Sequence, residues 1–390
     1  MSVLNAWFPE QLKRNNGRRA ALKAMKKICL VSLYPSHYRD QIYHMMEEEF
    51  GCSFIFGQYP SSIKQLDINS FKRVKEVDNL PIGNGRLYRM PGTVRYLKEY
   101  DVVIDDMGIL CITSWYNLLV SKIRRQDVFI WSHGWYGREG FVKKWIKRLY
   151  SHLTKGMFVY GEYAKQLMVK NGFEEAKLHV IHNSLNYDQQ LVLRRSMKQT
   201  NIFTSYFKNT NPVLCFIGRL TRVKQLDQLL SALYLLNQKS AKYNLVFIGE
   251  GEEWDNLRRQ AESIKMTQYV WFYGACYDEA KIAELLYNSD LCVAPGNIGL
   301  TAMHAMMFGC PCMSHNDFPN QMPEFEAIKE GVTGIFFEKD NLCSLSESIT
   351  KWFSEYSTDR ESVRQSCYNE IDTNWNPHNQ IEIIKKVING

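Results

Sequence analysis

The sequence predicts an α/β chain: two mostly parallel sheets, each wound on both faces by helices, facing one cleft. Three observations carry this. Continuous apolar runs of strand length alternate with helical patterns, as expected for strands buried on both faces. The alternation comes in two series of similar size, parted by a polar lapse at 187–211 that includes Gln189, Arg194, Arg195 and Asn209. A length of 390 residues suits two ordinary domains, each with its own core.

Taken in order, residues 1–25 form a basic lead-in, helical in part at Arg18–Met25, with Lys13, Arg14, Arg18, Arg19 and Lys23 opposed by Glu10 alone. The first domain spans 26–200. Its strands are expected at Lys27–Leu33, Ser53–Phe56, Asp101–Ile104, Val128–Ser132, Met157–Tyr160 and Leu178–Ile181, with helices at Val94–Glu99, Trp115–Ile123 and Glu162–Asn171. The second domain spans 211–375. Its strands are expected at Val213–Ile217, Leu245–Ile248, Val270–Tyr273, Leu291–Ala294, Cys312–Ser314 and Gly334–Phe337, parted by helical segments such as Leu226–Leu236 and Thr301–Phe308. The C-terminal helix, 377–390, is expected to return and complete the first domain.

Composition narrows the class. At 45% hydrophobic and 23% charged residues, the chain reads as an ordinary soluble globular protein. No run approaches the ~20 apolar residues of a membrane span, and Pro9, Glu10 and Lys13 interrupt any signal-peptide core. Ten scattered cysteines suit free thiols in a reducing cytoplasm. A second basic cluster, Lys143, Lys144, Lys147, Arg148 and Lys155, is interleaved with Phe141, Trp145 and Tyr150. That pattern is an amphipathic basic helix suited to an anionic membrane surface or, more simply, a solvated surface helix. No nucleic-acid motif accompanies the charge.

The residues with chemistry lie at the carboxyl ends of second-domain strands. Asn297-Ile-Gly-Leu-Thr301 turns a strand into a helix, where Gly299 lets a ligand approach the backbone and the N–H groups of Leu300 and Thr301 face an anion. Gly218 and Arg219 end another strand, and Lys224 follows in the next loop. A guanidinium that grips two oxygens beside an ammonium point charge suits a diphosphate.

These stretches have a family pattern. Phe216-Ile-Gly-Arg-Leu-Thr-Arg-Val-Lys224, Leu245-Val-Phe-Ile-Gly-Glu-Gly251, Trp271-Phe-Tyr-Gly274, Ala305-Met-Met-Phe-Gly-Cys-Pro311 and Gly331-Val-Thr-Gly-Ile335 recur in order. They resemble the nucleotide-binding half of retaining glycosyltransferases of the GT-B architecture, family 4, which pairs two Rossmann-like domains. Ser132-His-Gly134 and Val180-Ile-His-Asn-Ser184 are similar to that family's first-domain signposts. The resemblance implies a sugar nucleotide held by the second domain, with Arg219 and Lys224 on its diphosphate and Ala275 beside the base. It also implies that His133 reaches the donor sugar, that the acceptor sits on the first domain, and that no metal or other cofactor is needed. No Asp-x-Asp signature or His/carboxylate ligand cluster stands in the sequence.

The chain departs from the family at a pair of glutamates seven residues apart. The second falls at His304 and the first at Gly296, so no carboxylate remains in that stretch. His304 offers a hydrogen bond to a ribose hydroxyl but not a carboxylate's charge-assisted one, and Asn297 offers its amide to the sugar. Glu324 and Glu326 are candidate replacement acids. On the acceptor side, Tyr34-Pro-Ser-His-Tyr-Arg39 replaces the usual glycine-rich turn, leaving His37, Arg39 and Asp106 as candidates.

The expected activity is transfer of a sugar from a nucleotide diphosphate, UDP preferred, to a saccharide acceptor. A lipid-linked acceptor at the inner membrane face, in cell-surface polysaccharide assembly, suits the basic aromatic stretches. A non-catalytic nucleotide-sugar-binding protein and a GT-B sugar-nucleotide epimerase are the alternatives.

Overall fold

The structure, a computed structural model, describes residues 26–58, 66–239 and 242–390; the basic lead-in lies outside them. The first sheet takes β1 (Ile28–Ser32), β2 (Ser53–Gln58) and β3 (Val74–Asp78). After a small antiparallel hairpin of β4 (Leu80–Ile82) and β5 (Leu87–Arg89), it continues with β6 (Val102–Asp106), β7 (Asp127–Ser132), β8 (Gly156–Val159) and β9 (Leu178–Val180). Its order is β3-β2-β1-β6-β7-β8-β9, every pair parallel. The second sheet holds β10 (Val213–Ile217), β11 (Asn244–Ile248), β12 (Val270–Gly274), β13 (Leu291–Ala294), β14 (Cys312–His315) and β15 (Gly334–Phe337). Its order is β12-β11-β10-β13-β14-β15, again wholly parallel. The central strands β1, β10 and β11 are buried at every residue, which is why they read as unbroken apolar runs.

Helices α1 (Asp40–Phe50), α2 (Thr93–Tyr96), α3 (Ile112–Ile123), α4 (Phe141–His152) and α5 (Glu162–Lys170) connect the first sheet. α6 (Tyr187–Ser196) and α7 (Ile202–Phe207) lead to the second, wound by α8 (Leu226–Asn237), α9 (Trp254–Ser263), α10 (Glu279–Asn288), α11 (Leu300–Met307) and α12 (Leu342–Lys351). α13 (Arg360–Thr373) and α14 (Pro377–Asn389) close the chain. Ile381, Ile384 and Ile388 of α14 share a core with Ile42, Tyr43 and Met46 of α1, so the C-terminus packs on the first sheet.

Two local readings change. β3 was not expected, because Val-Lys-Glu-Val-Asp is charged and half-exposed; it lies at the sheet edge, where charge discourages further pairing. The polar stretch 187–211, where the alternating pattern lapses, holds two helices. Phe203 and Phe207 of α7 bury in the second core, which therefore begins ahead of residue 211.

Candidate active site

Two loops of the second unit pack together at the carboxyl edge of its sheet. A side chain at Gly296 would meet the Val223 carbonyl at 2.0 Å, and one at Gly249 the Gly218 carbonyl at 1.9 Å, so glycine is required at both. This closeness seats Lys224 over the turn into α11. Its ammonium donates to both the backbone carbonyl and the side-chain oxygen of Asn297, at 2.7 Å each. Burial, with Arg219 nearby, lowers its pKa to about 8, against the pull of Glu324. Gly299, at φ +54°, opens α11, and the Thr301 hydroxyl donates to the Ile217 carbonyl at 2.8 Å. Gly218, Arg219, Lys224, Asn297, Gly299, Leu300 and Thr301 are thus brought together. Lys224 faces a helix start, whose first N–H groups favour an anion, and Arg219 lies close enough to Lys224 to depress its pKa. Ala275 follows Gly274 at the end of β12, on the same edge.

His304 has a partner the sequence did not reveal. Its Nε2 lies 3.8 Å from Oε1 of Glu279, in the first turn of α10, whose other oxygen accepts from Gln190 at 3.1 Å. Although burial opposes it, His304 and Gln190 hold the Glu279 pKa below the ordinary range. A carboxylate is therefore present after all, supplied 25 residues upstream. Asp278, which caps α10 by accepting from Ala280 and Lys281, was the available signal for a helix start there.

The two candidate acids part company. Glu324 is buried; one oxygen accepts from Asn183 of the first unit at 2.8 Å and the other has no partner. Burial raises its pKa, against the attraction of Lys224. Glu326 instead caps a first-unit helix, accepting from the backbone N–H of Glu162 at 2.7 Å and of Tyr163 at 2.8 Å.

From the first unit, His133 follows β7, and its neighbour Tyr136 reaches Met322 Sδ at 4.0 Å. Burial and the charges of Arg39 and Lys147 bring the His133 pKa down to about 4, leaving a neutral imidazole. Its loop is locked by Glu139, which accepts from the N–H groups of Tyr136 and Gly137 and from Lys147, each at 3.0 Å. His133, Tyr136 and Glu326 line one crevice with Gln321 and Pro323 of the second unit. At the carboxyl edge of the first sheet, Arg39 and Asp106 form a buried ion pair at 2.5 Å, joined by Ser32, Tyr43 and Tyr160. Their charges face each other as the floor of the first-unit edge. His37 is exposed, and close enough to Glu279 across the cleft to help lower its pKa.

Among the described residues, no group of three or more His, Cys, Asp or Glu is placed to hold a metal ion, and no helix is long and apolar enough to cross a membrane.

Two doubly wound parallel sheets with an anion-ready edge define the GT-B architecture. HepE of Anabaena, solved with UDP, is similar in fold at a TM-score of 0.68 and 15% identity, over 93% of this chain and 99% of that one. So is the apo form of the lipopolysaccharide outer core galactosyltransferase WaaB, with the same score, identity and coverage. Residues 197–369, most of the second unit, match the family model described as Glycosyl transferases group 1. In sequence, the chain is 25% identical to the Bacillus subtilis glycosyltransferase EpsD over 150 residues, 38% of each chain. It is 27% identical to glycogen synthase 2 of Nitrosococcus oceani over 161 residues, 39% of this chain and 32% of that protein. The chain thus aligns with well under half the length of these relatives.

Proposed function

We propose that the protein is a retaining glycosyltransferase that moves a sugar from a nucleotide diphosphate to a saccharide acceptor. The observation that carries this is the seating of Lys224 against the Gly299 turn, with the charge of Arg219 beside it. A protonated Lys224, Arg219 and the first N–H groups of α11 hold the diphosphate and stabilise its charge as the glycosidic bond breaks. His304, oriented by Glu279, reads the ribose hydroxyls. Neutral His133 hydrogen-bonds the donor sugar from across the cleft, and the unpartnered oxygen of Glu324 accepts a sugar hydroxyl. The acceptor hydroxyl attacks the face the diphosphate leaves, and a diphosphate oxygen takes its proton. No metal enters this scheme.

UDP is the preferred nucleotide; HepE has been solved with UDP-glucose. The acceptor is a lipid-linked saccharide at the cytoplasmic face of the membrane, approached through α4. Lys147 takes no part in that approach, because it turns inward to Glu139 and the Gly134 carbonyl. Incubating the protein with a panel of UDP- and GDP-sugars, with and without membrane extract, tests the reading. Transfer to an extractable lipid-linked product supports it; no turnover of any donor would overturn it.

A further inference from the structure

α3 is inside out. Its inward face carries Ser114, Asn117 and Ser121 beside Leu118, all buried. Its outward face carries Ile112, Tyr116, Leu119 and Ile123, a stripe at helical spacing, with Ile123 81% exposed. A helix in water normally turns these faces the other way. The Asn117 amide, buried with neither its nitrogen nor its oxygen partnered, shows how poorly the inner face suits a core.

We infer that α3 and α4 together form one docking surface for an anionic lipid bilayer, beside the mouth of the cleft. The two helices follow consecutive strands of one parallel sheet, β6 and β7, and so lie side by side on one face of it. They touch through Ser114 and the Tyr150 hydroxyl, and through Trp115, whose ring lies 4.8 Å from that of Tyr150. The outward side of α4 is also apolar: Phe141 is 85% exposed, and Trp145 and Leu149 follow along the same side. Helices packed at about 10 Å make the two stripes one continuous patch. Both begin at the carboxyl edge of the sheet, where His133 stands, so a lipid anchor lying under the patch leads its head group toward the cleft.

Charge selects the occupant. Neither 107–126 nor 140–155 contains an acidic residue, while Lys122, Arg124 and Arg125 stand at the end of α3 and Lys143, Lys144 and Arg148 on α4, Lys144 against the Trp135 ring and Arg148 against Gly172. A second copy of the chain would bring the same positive rim against itself. A bilayer bearing anionic head groups complements the rim and accepts the apolar stripes.

The inference extends the membrane approach proposed for α4, and co-sedimentation of the full chain with vesicles separates the two. Phosphatidylcholine vesicles with and without phosphatidylglycerol are the probes. Three forms are compared: wild type, an α3 variant (Ile112→Ser, Tyr116→Ser, Leu119→Ser, Ile123→Ser) and an α4 variant (Phe141→Ser, Trp145→Ser, Leu149→Ser). Wild type is expected to bind only the anionic vesicles, and each variant to lose about tenfold or more in partitioning. A rim variant (Lys122→Gln, Arg124→Gln, Arg125→Gln) keeps the stripe and is expected to lose affinity most at low salt. If the α3 and rim variants bind like wild type while the α4 variant does not, the α3 inference is overturned and the α4 reading stands. Failure of wild type to bind overturns both. An α3 variant that turns a dimer into a monomer while keeping vesicle affinity assigns the stripe to a second copy and also overturns the inference.

Discussion

Lys224 donates to both the carbonyl and the side-chain oxygen of Asn297, at 2.7 Å each, tying the loop after β10 to the turn that opens α11. With its pKa near 8, this ammonium is protonated at neutral pH and loses its charge as pH rises past that value. A diphosphate binds the charged form, so donor binding takes up a proton at pH 8 and above, and donor affinity falls as pH rises through 8. Titration calorimetry in buffers of differing ionisation enthalpy measures the uptake. Lys224→Met is expected to abolish it and to weaken donor binding about tenfold or more.

Glu324 bridges Asn183 in one unit and the charge of Lys224 in the other, with one oxygen unpartnered. If that oxygen accepts a donor-sugar hydroxyl, Glu324→Gln removes the charge but keeps the shape. The expected result is a fall in kcat of about 10²-fold with a smaller change in donor KM. An equal loss in free UDP affinity would make Glu324 a support for the charge of Lys224 instead.

The His304–Glu279 pair makes a prediction about the ribose. An imidazole held by a carboxylate discriminates a hydroxyl from a hydrogen by about 1–3 kcal/mol. Wild type is therefore expected to bind UDP about 5- to 150-fold tighter than its 2′-deoxy analogue. Glu279→Gln narrows that gap and His304→Ala closes it, both seen by competition binding. A gap unchanged in both variants puts the ribose elsewhere.

Glu326 joins the two units through the N-terminus of α5. Burial lifts its pKa from 4.5 to about 7, in spite of the two N–H groups it accepts. Because the folded state holds the proton more tightly than the unfolded chain, the stability linked to it is fully present below pH 4.5 and lost as pH rises through 7. Glu326→Gln cannot titrate. The Tm of wild type minus that of the variant is expected to fall across this window, by about 2–4 °C per kcal/mol of linkage. Gly161→Ala tests the same contact sterically, since an added Cβ would stand 2.2 Å from Oε1 of Glu326.

The fold was legible because both sheets are parallel and their central strands are buried on both faces, as at Val213–Ile217. Charged β3 was invisible because an edge strand need not be apolar. α6 and α7 were hidden because polar runs can still be helical when only two or three residues, such as Phe203 and Phe207, meet a core. At the candidate site, the meeting of Lys224 with the Gly299 turn was legible because glycine-rich strand ends and paired cations have a local signature. Glu279 was not, because its relation to His304 exists only once α10 and α11 pack together. Glu324 and Glu326 looked equivalent in sequence. Only their partners, Asn183 for one and a helix start for the other, separate them.

The proposed transfer stands on Arg219 and Lys224 gripping a nucleoside diphosphate against the Gly299 turn. Titration calorimetry of UDP and GDP into wild type and Arg219→Ala tests it most directly. Saturable binding of at least one is expected, UDP first, weakened about tenfold or more by the substitution. Binding of neither nucleotide, or a variant indistinguishable from wild type, would contradict it.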